Sequence, residues 1–394
     1  MRDTRSAIAL HFSKMHGLGN DFVMLEAEQL AACVSSLASS VSGPAQIKQI
    51  CSRLAAFICN RNFGVGADGL IVAIDLKHMR AQSTAAVGFY RALDLYTADY
   101  PGRDDCDIAW IYVNSDGSYS AMCGNGLRCL AFFVKELGWP LGKSFSVATS
   151  VYPVTAEVID GTAPDGTKVD SSKNKSDTII VRTRLAGAKY ATAQIPMAVP
   201  AADRFIDQPI KVAGRTFLAT CISMGNPHCV LFEQDGLSLE GYAADIKKAH
   251  ADGKALQKFP DELLQLADDI QKLSIFPEGV NVEFVRTDAD RENAWAFIVE
   301  RGCGATLACA SGAAAVLAAG VISNRLNKKS YVILPGGKLE CSLTGCGDHQ
   351  GSMQAGAEYT QDEYIELTGP ATRAFSGDVA VVADLFVCDE GGCL

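Results

Sequence analysis

The stretch Ala121-Met122-Cys123-Gly124-Asn125-Gly126-Leu127-Arg128-Cys129 puts a thiol and a run of small residues directly ahead of an apolar, helix-compatible segment, 127–137. A second stretch, Leu307-Ala308-Cys309-Ala310-Ser311-Gly312, stands in the same way ahead of 313–321. In each stretch the Cys is followed by a small residue, then by Asn or Ser, and then by Gly. The sequence therefore predicts two helices that each carry a thiol at the N-terminus.

A helix N-terminus offers free backbone N–H groups and the positive end of the helix dipole, which favour an anion. We therefore expect these ends to lower the pKa of both thiols and to bind a carboxylate. A thiolate and a thiol on opposite faces of a substrate carbon can invert its configuration, because one removes a proton and the other delivers one. Helix-end N–H groups would stabilise the carbanion between them. Such chemistry needs no pyridoxal phosphate, and we expect no cofactor and no metal.

Length and composition limit the class of protein. The chain has 394 residues, of which 48% are hydrophobic, so it can bury a large core and is expected to form two domains. The net charge of −10 and the pI near 5.2 argue against binding to nucleic acid or an anionic membrane. The 14 Cys are spread over a long chain without a signal-peptide pattern, and no segment is apolar for long enough to cross a membrane. These features predict a cytoplasmic protein.

Local patterns predict alternating strands and helices. Glycine-rich turns stand at 16–21 and 62–69, and a helix is expected to begin at Pro44. Further strands are predicted at 12–15, 22–25, 70–74, 109–113, 178–181, 219–223, 229–232 and 279–285, and further helices at 239–250 and 260–273. From Tyr331 onward, we expect mostly short strands and turns.

The order of these pieces indicates an internal duplication. A Gly-Asn turn leads into a strand at 15–23 and again at 224–230, and a Cys-capped helix follows in each half. If two similar halves face each other, Cys123 and Cys309 lie on opposite sides of one cleft.

Simpler explanations exist for single residues. A lone Cys in apolar surroundings is more often buried filler than a catalyst. Cys123 and Cys129, like Cys303 and Cys309, also have a Cys-x5-Cys spacing, which could suggest zinc but does not match the usual zinc-knuckle pattern. His228 could be only a turn residue, and Glu300-Arg301 a surface ion pair.

Several motifs occur together in one order. They are the Cys123 stretch with Lys14-Met15-His16-Gly17-Leu18-Gly19-Asn20-Asp21-Phe22, Gly64-Val65-Gly66-Ala67-Asp68-Gly69, Asn114-Ser115-Asp116-Gly117-Ser118, Gly225-Asn226-Pro227-His228, Asn281-Val282-Glu283-Phe284, Glu300-Arg301-Gly302-Cys303-Gly304 and Leu334-Pro335-Gly336-Gly337. In this combination the chain resembles the diaminopimelate epimerase family from Phe12 to about residue 380. The resemblance implies an isomerase that interconverts LL- and meso-diaminopimelate without a cofactor, in the supply of lysine and peptidoglycan precursors.

The resemblance also implies a fold. We expect an α/β protein of two pseudo-symmetric domains, each a curved mixed β-sheet wrapped around a central helix. The N-terminal half would span 10–147 and the C-terminal half 148–369, with the tail at about 370–394 returning to the first half. A homodimer is possible.

Site residues follow from the resemblance in the same way. Cys123 and Cys309 would be the acid/base thiols, with His228 and Glu300 close by to help set their protonation. The expected substrate-binding residues are Asn20, Asn114, Gly124, Asn125, Asn226, Asn281, Arg301, Ala310 and Ser311, and Glu300 would also help to hold the substrate.

The chain departs from the family in places. The family usually has Glu at the position of Ala305, Gly at that of Ala310 and often another residue at Gly69. Ala310 still offers its N–H, but its methyl group should narrow the pocket. Extra length lies near 77–105, 160–177, 239–258 and 344–360, away from the motifs.

Two other functions remain open at this point. One is a racemase or epimerase of the same fold that acts on proline, hydroxyproline or histidine. The other is an amino-acid-binding protein without catalysis. The five residues Asn20, Asn114, Asn226, Asn281 and Arg301 favour a substrate with a second amino and carboxylate group.

Overall fold

The computed structural model describes residues 7–37, 44–77, 105–120, 122–150, 152–164, 166, 168–169, 177–199, 204–345 and 363–382. Its α-helices are α1 (Ala27–Leu37), α2 (Pro44–Ile58), α3 (Gly124–Glu136), α4 (Glu240–Ala251), α5 (Asp261–Gln271) and α6 (Ala310–Ile322). The first strands are β1 (Ile8–Gly17), β2 (Asn20–Glu26), β3 (Gly69–Asp75), β4 (Ile108–Asn114), β5 (Ser144–Ala148), β6 (Pro153–Ile159), β7 (Gly161–Thr162), β8 (Lys168–Val169) and β9 (Thr178–Ala186). The others are β10 (Phe205–Val212), β11 (Arg215–Ser223), β12 (Pro227–Phe232), β13 (Asn281–Thr287), β14 (Asn293–Glu300), β15 (Gly304–Ala305), β16 (Lys329–Leu334), β17 (Gly337–Thr344) and β18 (Tyr364–Val381).

In the N-terminal half, the sheet closes around helix α3. Strands β1, β2, β3, β4, β5, β6, β9 and β18 are hydrogen-bonded in that order, and β18 pairs back onto β1. Helix α3 packs against β1, β2, β3, β6, β9 and β18. The Cys123 helix is therefore the core of this half.

The C-terminal half repeats the arrangement around helix α6. Its strands run in the order β18, β17, β16, β14, β13, β12, β11 and β10, and α6 packs against most of them. Strand β18 belongs to both sheets, because one part pairs with β17 and β9 and the other with β1.

The same pairing sequence occurs in both halves. The hairpin β1–β2 is followed by parallel β3 and antiparallel β4, and the hairpin β11–β12 is followed by parallel β13 and antiparallel β14. In the N-terminal half the central helix then leads to β5, which is parallel to β4 and antiparallel to β6. In the C-terminal half it leads to β16, which is parallel to β14 and antiparallel to β17. The expected fold of two pseudo-symmetric halves with mixed sheets is confirmed.

The composition of the central helices fits their position. Residues 124–134 of α3 are all buried, and α6 is buried at 310 and 312–320. A helix enclosed by a sheet has no solvent face, so it is largely apolar, and a polar side chain on it must find its partners within the core. The outer faces are covered by α1 and α2 in one half and by α4 and α5 in the other.

The prediction of short strands and turns after Tyr331 is wrong for β18, which runs for 18 residues. The structure also contains α1, β5, β6 and β10, which the sequence patterns did not predict.

The four predicted insertions are covered unequally. The one near 77–105 and the one near 344–360 lie almost entirely outside the described residues. The described part of 160–177 includes the short β7–β8 hairpin, and 239–258 contains α4. Across the ranges described, no helix is both long and apolar enough to cross a membrane.

Candidate active site

Both predicted thiols cap their helices. Cys123 has an extended backbone (φ −152°, ψ 111°), and its Sγ accepts a hydrogen bond from the Gly126 N–H at 3.4 Å. Cys309 has nearly the same conformation (φ −128°, ψ 115°), and its Sγ accepts from the Gly312 N–H at 3.4 Å. The predicted helix starts are confirmed, with Cys at the N-cap in each half.

The two capped ends meet at the junction of the halves. A Cβ added to Gly124 would lie 2.6 Å from the Cβ of Ala310, so the first turns of α3 and α6 are in direct contact. The Asn125 side chain crosses this contact, because its Nδ2 donates to the Ala308 carbonyl at 3.0 Å. The cysteines that begin α3 and α6 are therefore brought to one place from positions 186 residues apart in the chain.

Asn20 lies between Cys123 and an acidic cluster. Its Oδ1 lies 3.7 Å from the Cys123 Sγ and accepts from Asn125 Nδ2 at 3.0 Å. Its Nδ2 donates to Asp68 Oδ2 at 2.6 Å, and this bond fixes the direction of the amide. Asn20 turns only its acceptor toward the thiol, so this contact favours a protonated Cys123 whose S–H donates to Asn20.

Asp68 was not predicted as a site residue. Arg61 donates to both Asp68 and Asp21, and Lys14 forms an ion pair with Asp21 at 2.7 Å. Burial and the neighbouring Asp21 raise the pKa of Asp68. The glycine-rich motif that contains Asp68 was visible in the sequence, but its contact with Asn20 joins residues 48 positions apart.

Cys309 lies beside a different set of groups. Its Sγ is 3.4 Å from the Ser311 Oγ, and the carboxylate of Glu300 is near enough to raise the pKa of the thiol. Thr306 holds Glu300 by donating its hydroxyl to Oε1 at 2.7 Å. Glu300 therefore lies close to the Cys309 thiol.

Burial decides the protonation of these thiols. It raises the pKa of Cys123 to about 11 and that of Cys309 well above its usual value. The helix-end N–H groups lower both values, and Glu300 raises both. The prediction of a lowered thiol pKa is therefore wrong, because the free-energy cost of removing the thiolate from water exceeds the stabilisation that the helix ends provide.

The raised pKa predicts a steep pH dependence of alkylation. In a Cys303→Ala background, iodoacetamide should modify Cys123 about tenfold faster for each pH unit between about pH 7 and pH 9, since only the thiolate reacts. Mass spectrometry of the Cys123 peptide would measure the rate. A plateau below about pH 8 would contradict the raised pKa.

The remaining predicted residues are held by hydrogen bonds of their own. Asn281 is 4% exposed; its Nδ2 donates to the Pro227 carbonyl at 3.2 Å and its Oδ1 accepts from the Arg301 N–H at 2.8 Å. The Arg301 side chain is turned to the Glu278 carbonyl at 2.5 Å. Asn114, at the end of β4, donates to Ser118 at 2.9 Å. Asn281 therefore joins the Asn226 turn to the strand end at Glu300.

His228 is completely buried, and both of its ring nitrogens are engaged. Nδ1 is 2.6 Å from Glu283 Oε1, and Nε2 is 3.0 Å from Asn226 Oδ1. Neither nitrogen is free to exchange a proton directly with a thiol. Glu283 was quoted within a motif but not predicted as a site residue, although a charged residue in an otherwise apolar strand was a signal.

Arg128 is a further buried charge to which the sequence analysis assigned no role. It is 0% exposed and donates to Asn125 Oδ1 at 2.7 Å and to the Pro370 carbonyl at 3.3 Å. It thus holds Asn125 at the helix contact and ties α3 to the shared strand β18.

The zinc alternative gains no support from geometry. In the parts of the chain that the structure describes, no three His, Cys, Asp or Glu side chains are grouped to hold a metal ion. Cys123 caps a helix, Cys129 is buried, and Cys303 is exposed.

Comparison with known proteins decides the family. The sequence profile of diaminopimelate epimerase matches residues 12–173 and 220–360, which is well over half of the chain. The chain belongs to the diaminopimelate epimerase family. It is therefore an isomerase of the racemase and epimerase kind, as the sequence predicted.

Curated members of the diaminopimelate epimerase family match along nearly their full length. The diaminopimelate epimerase of Synechocystis sp. is 30% identical over 378 residues, covering 95% of this chain and 100% of the relative. That of Synechococcus sp. strain JA-2-3B'a(2-13) is 32% identical over 376 residues, covering 94% and 98%.

Solved structures share the fold beyond the diaminopimelate epimerase family. A hydroxyproline epimerase from Agrobacterium vitis aligns with a TM-score of 0.55 at 15% identity, covering 97% of this chain and 94% of the other. A probable proline racemase from Agrobacterium radiobacter K84 aligns with a TM-score of 0.51 at 17% identity, covering 94% and 93%. At these identities the likeness shows the fold alone.

Two departures from the usual diaminopimelate epimerase pattern now have a structural setting. A Cβ on Gly69 would lie 2.6 Å from the Tyr112 ring and 2.8 Å from the Val113 carbonyl, so a larger residue does not fit there. The Ala310 methyl fills the space above Gly124.

Proposed function

We propose that this protein interconverts LL- and meso-diaminopimelate by proton transfer between Cys123 and Cys309. The observation that carries the proposal is the direct contact between two Cys-capped helix ends, one from each half. Family membership supports the substrate, and the paired thiols support the reaction type.

The reaction needs one thiolate and one thiol. The thiolate removes the α-proton from one face of the substrate, and the opposite thiol delivers its proton to the other face. No net proton is gained, and the protonation of the two sulfurs is exchanged at the end of each turnover. Because burial favours the neutral thiols, the α-ammonium group of the substrate is expected to stabilise the thiolate when it enters the site.

The substrate carboxylate is expected to bind between the helix ends. The first turn of any helix has N–H groups without an intrahelical acceptor, and here Gly124, Ala310 and Ser311 supply them. These donors would stabilise the negative charge that moves onto the carboxylate when the α-proton leaves. Asn125 would fix the distance between the two helix ends, since it bonds both Asn20 and the Ala308 carbonyl.

The distal end of the substrate is assigned to polar residues of both halves. We propose that Asn20, Asn114, Asn226, Asn281 and Arg301 recognise the second amino and carboxylate group, and that the halves 10–147 and 148–369 act as two domains around the substrate. A place in lysine and peptidoglycan precursor synthesis, a cytoplasmic location and a homodimer remain predictions.

Incubation in deuterated water tests the function directly. Reduced protein should convert LL-diaminopimelate to the meso isomer, and the product should carry deuterium at the inverted α-carbon. Chromatography of the stereoisomers and mass spectrometry would follow both changes. If diaminopimelate shows neither exchange nor inversion while proline, hydroxyproline or histidine does, the proposed substrate is wrong.

A further inference from the structure

A buried carboxylate lies behind Asn226 and takes no part in the proton transfer proposed above. Glu283, on β13, is 0% exposed, and its Oε1 is 2.6 Å from Nδ1 of the equally buried His228. Its Oε2 is buried and has no hydrogen-bond partner among the residues described. A carboxyl group buried with one free oxygen reduces stability, so its presence calls for a reason.

The surroundings show how this group is tolerated. A Cβ on Gly312 would lie 3.2 Å from Glu283 Oε1, so the carboxyl group lies under the first turn of α6. That is the end of the helix that favours negative charge. Glu283 is thereby placed next to the turn that holds Cys309.

The Glu283–His228 pair carries two protons in either of its neutral forms. If Glu283 is protonated, its O–H donates to Nδ1 and the neutral ring keeps its hydrogen on Nε2. If Glu283 is ionised, the imidazolium has hydrogens on both nitrogens. In both forms Nε2 carries a hydrogen. An ionised Glu283 beside a ring protonated only on Nδ1 would instead set the Nε2 lone pair against the Asn226 oxygen, which would put two acceptors 3.0 Å apart.

This hydrogen determines how Asn226 is oriented. Nε2 lies 3.0 Å from Asn226 Oδ1, so the ring donates and the amide oxygen accepts. The Asn226 N–H2 group then has no acceptor in the described part of the chain, and Asn226 itself is only half-buried. An amide held in this way presents two donors, which suit a carboxylate and not an ammonium group.

We propose that Glu283 is a positioning residue that acts through His228 to hold Asn226 as a hydrogen-bond donor for a carboxylate of the substrate. The proposal rests on the proposed function, which puts Asn226 in the substrate site.

The protonation of His228 can be tested without substrate. In protein labelled with ¹⁵N-histidine, the NMR signals of His228, assigned by their loss in His228→Gln, should show a protonated Nε2 near neutral pH. An unprotonated Nε2 would overturn the proposal. Because no turnover is needed, this result is separate from the identity of the substrate, which the wild-type assay decides.

Kinetics distinguish positioning from a general structural role. Glu283→Leu leaves Nδ1 of a buried ring without a partner and frees the ring, so KM should rise by about 10- to 100-fold while kcat stays within about threefold. Glu283→Gln is the matched control, because its amide can donate to Nδ1 and keep the hydrogen on Nε2. Its KM should stay within about threefold of wild type.

A double-mutant cycle tests whether Glu283 acts through Asn226. Asn226→Ala should raise KM, and adding Glu283→Leu should raise it no further, since the donor that Glu283 positions is already gone. Additive losses would overturn the proposal, and so would a wild-type KM in Glu283→Leu. If Glu283→Leu does not fold, the NMR result and the kinetics of Glu283→Gln still test the proposal. A large rise in KM for Glu283→Gln together with an unprotonated Nε2 is incompatible with the proposed hydrogen-bond chain.

Discussion

Cys123→Ala and Cys309→Ala should each lower kcat/KM for epimerisation by about 10²- to 10⁴-fold or more, because each removes one of two proton carriers. The fold should persist. Each thiol contributes only a weak cap to its helix, through one N–H at 3.4 Å, so the loss of stability should be at most about 1 kcal/mol. Stereoisomer analysis would measure turnover, and thermal unfolding would check the fold.

Exchange in deuterated water adds a sharper readout to these two variants. A remaining thiol can still act as a base toward one stereoisomer and return a deuteron to the same face. Each single variant should therefore exchange the α-hydrogen of one stereoisomer at most, without inverting it. Exchange of both isomers by one variant would contradict the two-thiol mechanism.

Cys303→Ala is the matched control for the two thiol variants. Cys303 lies in the same half as Cys309 and only six residues before it, but it is exposed and caps no helix. It should retain wild-type turnover. A comparable loss in Cys303→Ala would show that the assay detects general damage to this part of the cleft and would remove the support for specific thiol roles.

The cap motifs allowed the centre of the fold to be predicted, although α6 lacks the usual amphipathic pattern. Helix α6 is apolar on every face, so periodicity alone does not identify it. The small residues after each Cys mark the helix start, and their repetition indicated the two halves. The local sequence around the two cysteines was therefore enough to predict the duplicated architecture.

Strand β18 could not be predicted in the same way, because it contains residues that usually interrupt strands. Gly369 and Pro370 lie within it. Its register with β17 ends at Thr368 and its register with β1 begins at Thr372, so Pro370 falls in the gap on that edge. Because no strand pairs with that edge at Pro370, the N–H that proline lacks would have had no partner there. The gap is a property of two sheets sharing a strand, which local sequence does not reveal.

The thiol chemistry was only partly predictable for a similar reason. The helix ends were visible in the sequence, and they do lower the pKa of each thiol. Burial and the nearby Glu300 outweigh them, and both follow from how the halves meet. The contact of His228 with Glu283 was also hidden, because it depends on the parallel pairing of β12 with β13 across 55 residues.

Gly124→Ala should cause the second large loss, because it places a methyl group where the two helix ends touch. The new Cβ would lie 2.6 Å from the Ala310 Cβ, a distance that real Cβ atoms do not adopt, so α3 and α6 must separate. Overpacking of this kind typically costs about 1–3 kcal/mol of stability. A shift of about 1 Å in the relative position of the thiols can lower the rate about 10²-fold. Measured kcat/KM and the unfolding temperature should both fall.

The Ala310→Gly exchange shows whether the clash is the cause. Alone, it removes a methyl group at the first helical position, where the helix propensity of Ala over Gly is worth at most about 1 kcal/mol, and activity should stay close to wild type. Combined with Gly124→Ala, it moves the methyl group to the other side of the contact without adding volume, so the double variant should recover most of the lost activity. Such recovery would show that the clash between the two methyl groups is the cause. If the methyl group added by Gly124→Ala acted on the substrate or on the fold of α3 alone, it would still do so in the double variant, and activity would not recover. If the double variant remains as impaired as Gly124→Ala, the helix ends do not control the distance between the thiols.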